Sequence, residues 1–135
     1  MIAKNARTRG CSPQNAASDT TKAKPSPTWP DWIQNPTTDR HTWSAAVSKA
    51  VLAGIAAADS ICCRRLGRHA AAGDHQQALA VVEEAGDVGR DARRHLERLL
   101  SIKHKAHYED VDPTVSEARR AIRAMRAILQ LASEA

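Results

Sequence analysis

The residues best suited to chemistry lie in the segment SIKHKAHYED, residues 101–110. If this segment ends a helix, Lys103 and His107 are one turn apart and continue the line that Leu96 and Leu100 begin. A cation and an imidazole then follow two leucines along one helical face. An imidazole exchanges a proton near neutral pH, and a lysine neutralises a phosphate. The pair therefore suits the attack of an RNA 2′-hydroxyl on its own phosphodiester.

The same segment can also have a purely structural role. The spacing of Lys103 and His107 alone favours this role over a catalytic one. His107 would then hydrogen-bond a backbone group at the helix end, while Lys103 extends its amine to water. His104 and His107 are three residues apart and could share a metal ion. No further His, Cys or Asp cluster stands at a supporting spacing, so neither a metal site nor a cofactor is predicted. Tyr108 can donate a hydrogen bond or stack.

Asp59 is a third candidate because it interrupts an apolar helical face that includes Ile55 and Cys62. A carboxylate is costly to bury without a partner. Either the face opens to solvent at Asp59, or a cation or imidazole from another helix meets it. Lys103 and His107 are the candidates for that meeting, and both alternatives stay open.

Basic side chains provide further candidate phosphate contacts. Arginines recur at intervals of three or four residues in two later segments, where each row can grip phosphates. Acidic residues are interspersed, so an ordinary solvated face is the commoner meaning of any single row. These rows are Arg90, Arg94 and Arg98, and Arg119, Arg123 and Arg126. The residues predicted to contact RNA or phosphate are Arg64, Arg65, His104, Lys105 and Tyr108.

Charge, cysteine content and apolar runs indicate which cellular compartment and which partners to expect. The 135 residues carry a formal net charge of +5, most of it in the first 30 residues, which hints at an acidic partner such as RNA. Cys11, Cys62 and Cys63 form neither a disulfide framework nor a CxxC zinc pattern, which favours a reducing, cytoplasmic compartment. No apolar run approaches the roughly 20 residues of a membrane span, and the N-terminus lacks the apolar segment of a secretion signal.

Two regions differ in composition. Residues 1–37 are rich in Pro, Ser and Thr and are basic, so we expect a disordered tail. Trp29 and Trp32 within it either stack on nucleobases or cover an apolar edge of the domain. Residues 38–135 show helical periodicity without the alternation of strands, which predicts one all-α domain.

The helix boundaries follow from caps and glycines. Gly54 marks a place where the first helix bends or breaks, and Gly67 is its stop signal. Thr114 and Glu117 form a capping-box pattern before the last helix. The expected elements are a helix from Thr38 to Leu66, a loop over 67–73, a helix from His75 to Ala85, a helix from Asp87 to Tyr108, and a last helix after Thr114.

Three segments together resemble a HEPN domain: AVSKAVLAGIAAADSICCRRLG, GDHQQAL and RLLSIKHKAHYED. They are most similar to a small actinobacterial branch with AVLAGIAAAD-like helices and a KxxAHY-like ending, over about residues 41–133. The resemblance implies a four- to five-helix up-and-down antiparallel bundle that dimerises. Many HEPN proteins are metal-independent endoribonucleases. Their hallmark is an arginine, four to six residues, and then a histidine.

By this resemblance His107 corresponds to the hallmark histidine, Tyr108 to the tyrosine that often follows it, and Asp59 to a supporting polar residue. The arginine is missing, since residues 100–102 stand at the hallmark spacing and none is basic. Lys103 would replace it as a point charge, without the bidentate grip of a guanidinium.

Two functions are therefore expected as alternatives. The first is a HEPN protein acting on RNA, a metal-independent endoribonuclease of toxin–antitoxin or phage-defence type. His107 would be its acid/base, Lys103 its phosphate contact and Asp59 its orienting group. The second is a non-catalytic nucleotide-binding, RNA-binding or protein-interaction module of antitoxin-like or regulatory kind. The partners implied are a second copy of the chain, RNA or a nucleotide, and a cognate protein, with no membrane.

Overall fold

The computed structural model describes residues 8–11, 40–71, 75–108 and 112–135, and leaves the side chains of 40–42 and 107–108 undescribed. Four helices in these ranges confirm the predicted all-α helical bundle, whereas its HEPN-like character stays a prediction. In chain order the elements are β1 (Thr8–Gly10), α1 (Arg40–Leu66), β2 (Arg68–Ala70), α2 (His75–Glu83), α3 (Gly86–Tyr108) and α4 (Val115–Glu134).

Helix α1 forms the centre of the core because small residues line most of its surface. Ala46, Ala57 and Ile61 are fully buried. Gly54 lies against the side chain of Leu99, so closely that a Cβ at this position would collide with it. The helix runs unbroken through Gly54. The expected break is therefore wrong, and this glycine instead admits a neighbouring helix.

Helix α3 runs antiparallel to both α1 and α4. Leu99 of α3 packs on Gly54 of α1, and Lys105 lies 3.5 Å from Glu117 near the start of α4. Leu96 and Leu99 are fully buried, while Lys103 is exposed. The predicted apolar stripe is thus confirmed, and it leaves the core where the sequence indicated.

Caps fix the ends of the helices. Gly67 and Gly86 adopt positive φ values of 70° and 81°, which end α1 and separate α2 from α3. The predicted capping box of α4 is present, since Thr114 N donates to Glu117 at 3.0 Å and Glu117 N donates to Thr114 at 3.1 Å. Asp74 precedes α2 and suits an N-cap by its residue type, but it lies outside the described residues.

A short hairpin corrects two expectations. Strand β1 pairs antiparallel with β2, with Arg9 opposite His69, so part of the predicted loop 67–73 is a strand. Cys11 and Cys63 form a disulfide with a Cα–Cα distance of 5.5 Å, whereas three reduced cysteines were expected. Residues 8–11 are therefore not part of a mobile tail. Trp29, Trp32 and the other residues of 12–39 lie outside the described ranges.

Helix α1 also corrects the expectation about membrane spans. By length and composition its segment Trp43–Leu66 is long and apolar enough to cross a membrane. Within the bundle, however, 67% of this window is buried by the other helices, as in the core helix of a folded domain. A cytoplasmic location stays a prediction.

The capping box predicts a pH-dependent contribution to stability. The backbone hydrogen bond from Thr114, followed by the charge of Lys105, lowers the pKa of Glu117. A lowered folded-state pKa gives stability that is present above the unfolded pKa, near 4.3, and is lost as pH falls through the folded pKa. Glu117→Gln keeps the cap geometry but loses the charge. We expect it to lower the free energy of unfolding by about 1 kcal/mol at pH 7 and by clearly less near pH 3.

Urea unfolding of wild type and variant at both pH values measures this difference. Glu134→Gln is the matched control, because it makes the same change at the exposed end of α4, outside the capping box. An equal loss at both pH values would contradict the charge-based explanation.

Candidate nucleic-acid interface

The structure places two of the side chains predicted to be catalytic, Lys103 and Asp59, beside different histidines. Lys103 Nζ lies 3.1 Å from His75 Nε2, and Asp59 Oδ2 lies 3.8 Å from His69 Nδ1. Gly54 of α1 contacts Leu99 of α3. Because the two helices are antiparallel, Asp59 lies towards one end of the bundle from this contact and Lys103 towards the other. At 1.5 Å per residue their separation along the bundle is about 13 Å. Of the alternatives left open for Asp59, a contact with Lys103 is therefore not present in this structure, and the imidazole beside it is that of His69.

The predicted phosphate contacts are also dispersed. Arg64 donates from Nη1 to the carbonyl oxygen of Ala132 at 2.7 Å, which ties the end of α1 to the end of α4. Lys105 is engaged with Glu117, and Arg65 and His104 are exposed. Arg64 and Arg65 stand at the C-terminal end of α1, while His104 and Lys105 stand at the far end of the bundle. The side chains of His107 and Tyr108 lie outside the described part.

A cationic cleft lies instead between α3 and α4. Its volume is about 780 Å³, and four of its lining side chains are exposed arginines. Two of them are four residues apart on α3 and two are three residues apart on α4, spacings that place each pair on one helical face. The lining residues are Arg94, His95, Glu97, Arg98, Ser101, Ile102, Arg120, Arg123 and Ala124.

Most of the positive charge in the cleft is uncompensated. Arg94 pairs with Asp91 at 2.6 Å, and the one acidic lining residue, Glu97, accepts a hydrogen bond from Arg93 at 2.9 Å. Among the described residues, Arg98, Arg120 and Arg123 have no ion-pair partner. Guanidinium groups grip phosphate oxygens through paired N–H donors. The cleft therefore offers an anion three such forks in addition to Arg94.

His95 adds a neutral polar group to the floor of this cleft. Its Nδ1 is buried and has no hydrogen-bond partner in the described part of the chain. Burial lowers the pKa of His95, and the charges of Arg98 and Arg94 lower it further. The ring is therefore neutral at pH 7 and presents one donor and one acceptor. A buried, unpaired ring nitrogen is unfavourable in the free protein.

Sequence reasoning found the two arginine rows but missed that Arg94 and Arg98 of the first line the same cleft as Arg123 of the second. It also missed Arg120 and His95, which belong to no regular row. The available signal was that a row on α3 and a row on α4 become neighbours once these helices pack antiparallel. A second omission concerns spacing. Arg98 and His104 are separated by five residues, which lies within the HEPN hallmark interval of four to six.

Comparison of the chain with protein-family models, curated proteins and solved structures finds no match in any of the three. The HEPN resemblance therefore stands on the sequence segments alone.

The geometry predicts an unusual titration for His95. Its pKa should lie below the ordinary value of 6.5, and Arg98→Gln should raise it, because one nearby cation is removed. The control is Arg90→Gln, since Arg90 lies on the same helix but outside the cleft and pairs with Asp87. Two-dimensional NMR of the histidine rings measures both values. A His95 pKa at or above 6.5 in the wild type would show that the ring is not held beside these arginines.

Proposed function

We propose that this chain binds RNA through the cleft between α3 and α4. The observation that supports the proposal is that four arginines line this cleft from both helices, three of them without an ion-pair partner among the described residues. Phosphodiester groups supply the negative charge that such a surface lacks. The HEPN-type resemblance, which is independent of this charge pattern, points to the same ligand.

The composition of the cleft favours single-stranded RNA over a small anion. A lone phosphate needs one guanidinium fork, whereas arginines on two helices can follow several successive phosphates. Arginine planes and histidine rings also stack on unpaired bases. His95 and the half-buried Ile102 supply a less polar floor between the charged walls. These features together suit a flexible strand with both charge and exposed bases.

Cleavage of the bound strand is the second part of the proposal. A metal-independent endoribonuclease of toxin–antitoxin or phage-defence type needs an acid/base near a phosphodiester held by cations. His107 with Lys103 is the pair chosen by the KxxAHY-like ending. His104 is a second candidate because Arg98, which lines the cleft, precedes it at the hallmark spacing. Asp59, predicted as the orienting group, lies beside His69.

Binding without cleavage is the alternative, and the dispersal of the predicted catalytic residues favours it. Lys103 is engaged with His75, and Asp59 lies about two and a half helical turns away along the bundle. A non-catalytic RNA- or nucleotide-binding module, or an antitoxin-like or regulatory partner of another protein, would need the cleft but not an acid/base.

A second copy of the chain also belongs to the proposal. Leu52 is 63% exposed and is the one large hydrophobic side chain in the described residues with such exposure. It borders a groove of about 380 Å³ that also includes Val47, Val51 and Lys103. This groove adjoins the C-terminal part of α3, where a HEPN-type dimer would have its seam. Its apolar lining supports a protein contact there.

Salt dependence tests the binding step. Each neutralised phosphate on a single strand contributes about −0.7 to the slope of log affinity against log salt. The double variant Arg98→Ala/Arg123→Ala should lower affinity for a single-stranded RNA oligonucleotide by about tenfold or more and make the slope shallower by about 1.4. Fluorescence anisotropy at several salt concentrations measures both quantities.

The matched control is Arg90→Ala/Arg126→Ala, which removes one exposed arginine from each of the same helices outside the cleft. It should leave most of the affinity intact. Equal losses in the two double variants would show that net charge, and not the cleft, determines binding.

Incubation with structured RNA in a chelator tests the cleavage step. We expect products with 2′,3′-cyclic phosphate ends, and a loss of rate by about a hundredfold or more in His107→Ala. The control is His69→Ala, which removes an imidazole at the other end of the bundle. A comparable loss only in His104→Ala would transfer the acid/base role to His104. No cleavage by the wild type would leave the non-catalytic alternative.

A further inference from the structure

Three segments of the chain meet at the C-terminal end of α1. Cys11 follows β1, and its N–H donates to the carbonyl oxygen of Gly67 at 3.0 Å. Cys63 lies in the last turns of α1, and its carbonyl accepts from Gly67 N at 3.1 Å. His69 lies in β2, paired with Arg9 of β1. The hairpin therefore brings two cysteine sulfur atoms and one imidazole together from separate parts of the sequence.

The distances among these side chains suit a metal ion. The two sulfur atoms and one ring nitrogen of His69 all lie within 4.8 Å of one another. Zinc binds thiolate sulfur at about 2.3 Å and imidazole nitrogen at about 2.0–2.1 Å, so ligand atoms of a tetrahedral site are roughly 3.5 Å apart. Small side-chain rotations therefore suffice once the S–S bond is open.

We propose that Cys11, Cys63 and His69 bind a Zn²⁺ ion when the disulfide is reduced. A dithiol reductant transfers two electrons and two protons to the Cys11–Cys63 bond, which yields two thiols while the reductant becomes a disulfide. Zinc then replaces the two thiol protons, which pass to solvent, and takes the histidine nitrogen as its third ligand. The oxidised and the zinc-bound forms each connect β1 to the end of α1.

Asp59 completes the surroundings of this site. Its Oδ2 lies 3.8 Å from His69 Nδ1, which in turn lies 2.8 Å from the carbonyl oxygen of Ala70. Zinc-ligating histidines are oriented by such carboxylate and carbonyl partners. Asp59 is half-buried and adjacent, so it is a positioning residue for the imidazole or, after a small movement, the fourth ligand. This assignment also gives the carboxylate on the apolar face of α1 a role unrelated to RNA.

The same cluster accounts for the cysteine pattern in either compartment. An oxidising environment keeps the disulfide, whereas in a reducing cytoplasm the zinc ion holds the same two sulfur atoms. The neighbouring Cys62 is buried and outside the cluster, so it serves as an internal control. The site is independent of the proposed RNA binding, since none of its residues lines the arginine cleft.

Cobalt substitution in the full chain tests the site. Protein reduced with a phosphine, which does not supply competing thiols, is titrated with Co²⁺ and followed by its thiolate charge-transfer and tetrahedral absorption bands. We expect one Co²⁺ per chain, displaced by stoichiometric Zn²⁺, and no such bands in oxidised protein. His69→Gln and Asp59→Asn should weaken binding by about tenfold or more. Cys62→Ala should bind as the wild type does.

Two cysteine variants complete the test. Cys11 lies outside the helical bundle, so the Cys11→Ser variant should fold normally as judged by circular dichroism. Its thiolate bands should be lost or reduced in intensity by about half. Cys63→Ser should behave in the same way. Absence of thiolate bands in reduced wild type would overturn the proposal. So would a loss of the bands in Cys62→Ala as large as that in Cys11→Ser.

Discussion

The close packing of α3 and α4 on the small residues of α1 determines what the surface of this protein can do. Gly54 and the buried alanines leave space for Leu99, and a Cβ at position 54 would also come within 3.5 Å of Ile128 of α4. Both helices can therefore lie on one side of α1 and contact each other. Interiors at this packing density tolerate little rearrangement, so the relative position of the two helices is held firmly.

That packing imposes an electrostatic cost, which an anionic ligand would offset. Arginines on α3 and α4 come to line one cleft, and only Arg94 among the four has a carboxylate partner in the described ranges. Like charges gathered in this way are unfavourable in the free protein. The same arrangement raises the local concentration of a negatively charged ligand and steers its approach. Stability and recognition therefore make opposite demands on this surface, as is common where a protein binds a polyanion.

The hairpin at the end of α1 solves a different problem. Three-residue strands contribute few hydrogen bonds, and a strand pair of this size is not stable alone. A covalent or metal link between Cys11 and Cys63 lowers the entropy of the unfolded chain by closing a loop across a sequence separation of 52. The hairpin also positions His69 beside Asp59, so the carboxylate within the face of α1 has a nearby imidazole.

Helical periodicity and capping signals were sufficient to predict most of the fold. The stripe through Leu96 and Leu99, the stop at Gly67 and the capping box at Thr114 all depend on contacts within a few residues of each other. These local interactions are visible in the sequence. The short strands were not, because β1 and β2 gain their conformation from each other and from a disulfide to a distant helix.

The candidate site was predicted less well for a related reason. Lys103 and His107 attract attention because they are neighbours on one helix, and so are the arginines of a single row. Whether a row faces solvent or another row depends on which helices become neighbours and on their direction. That Arg98 of α3 and Arg123 of α4 line the same cleft is such a long-range property. His95 gave no signal at all, since its significance lies in burial beside cations.

The most direct test of the central claim is photochemical cross-linking of the full chain to a short single-stranded RNA that carries 4-thiouridine, followed by mass spectrometry of the linked peptides. If the arginines that line the cleft hold the strand, cross-links will concentrate in residues 94–102 and 120–124. Cross-links confined to the ends of α1 and α3, or to the first 37 residues, would contradict the account.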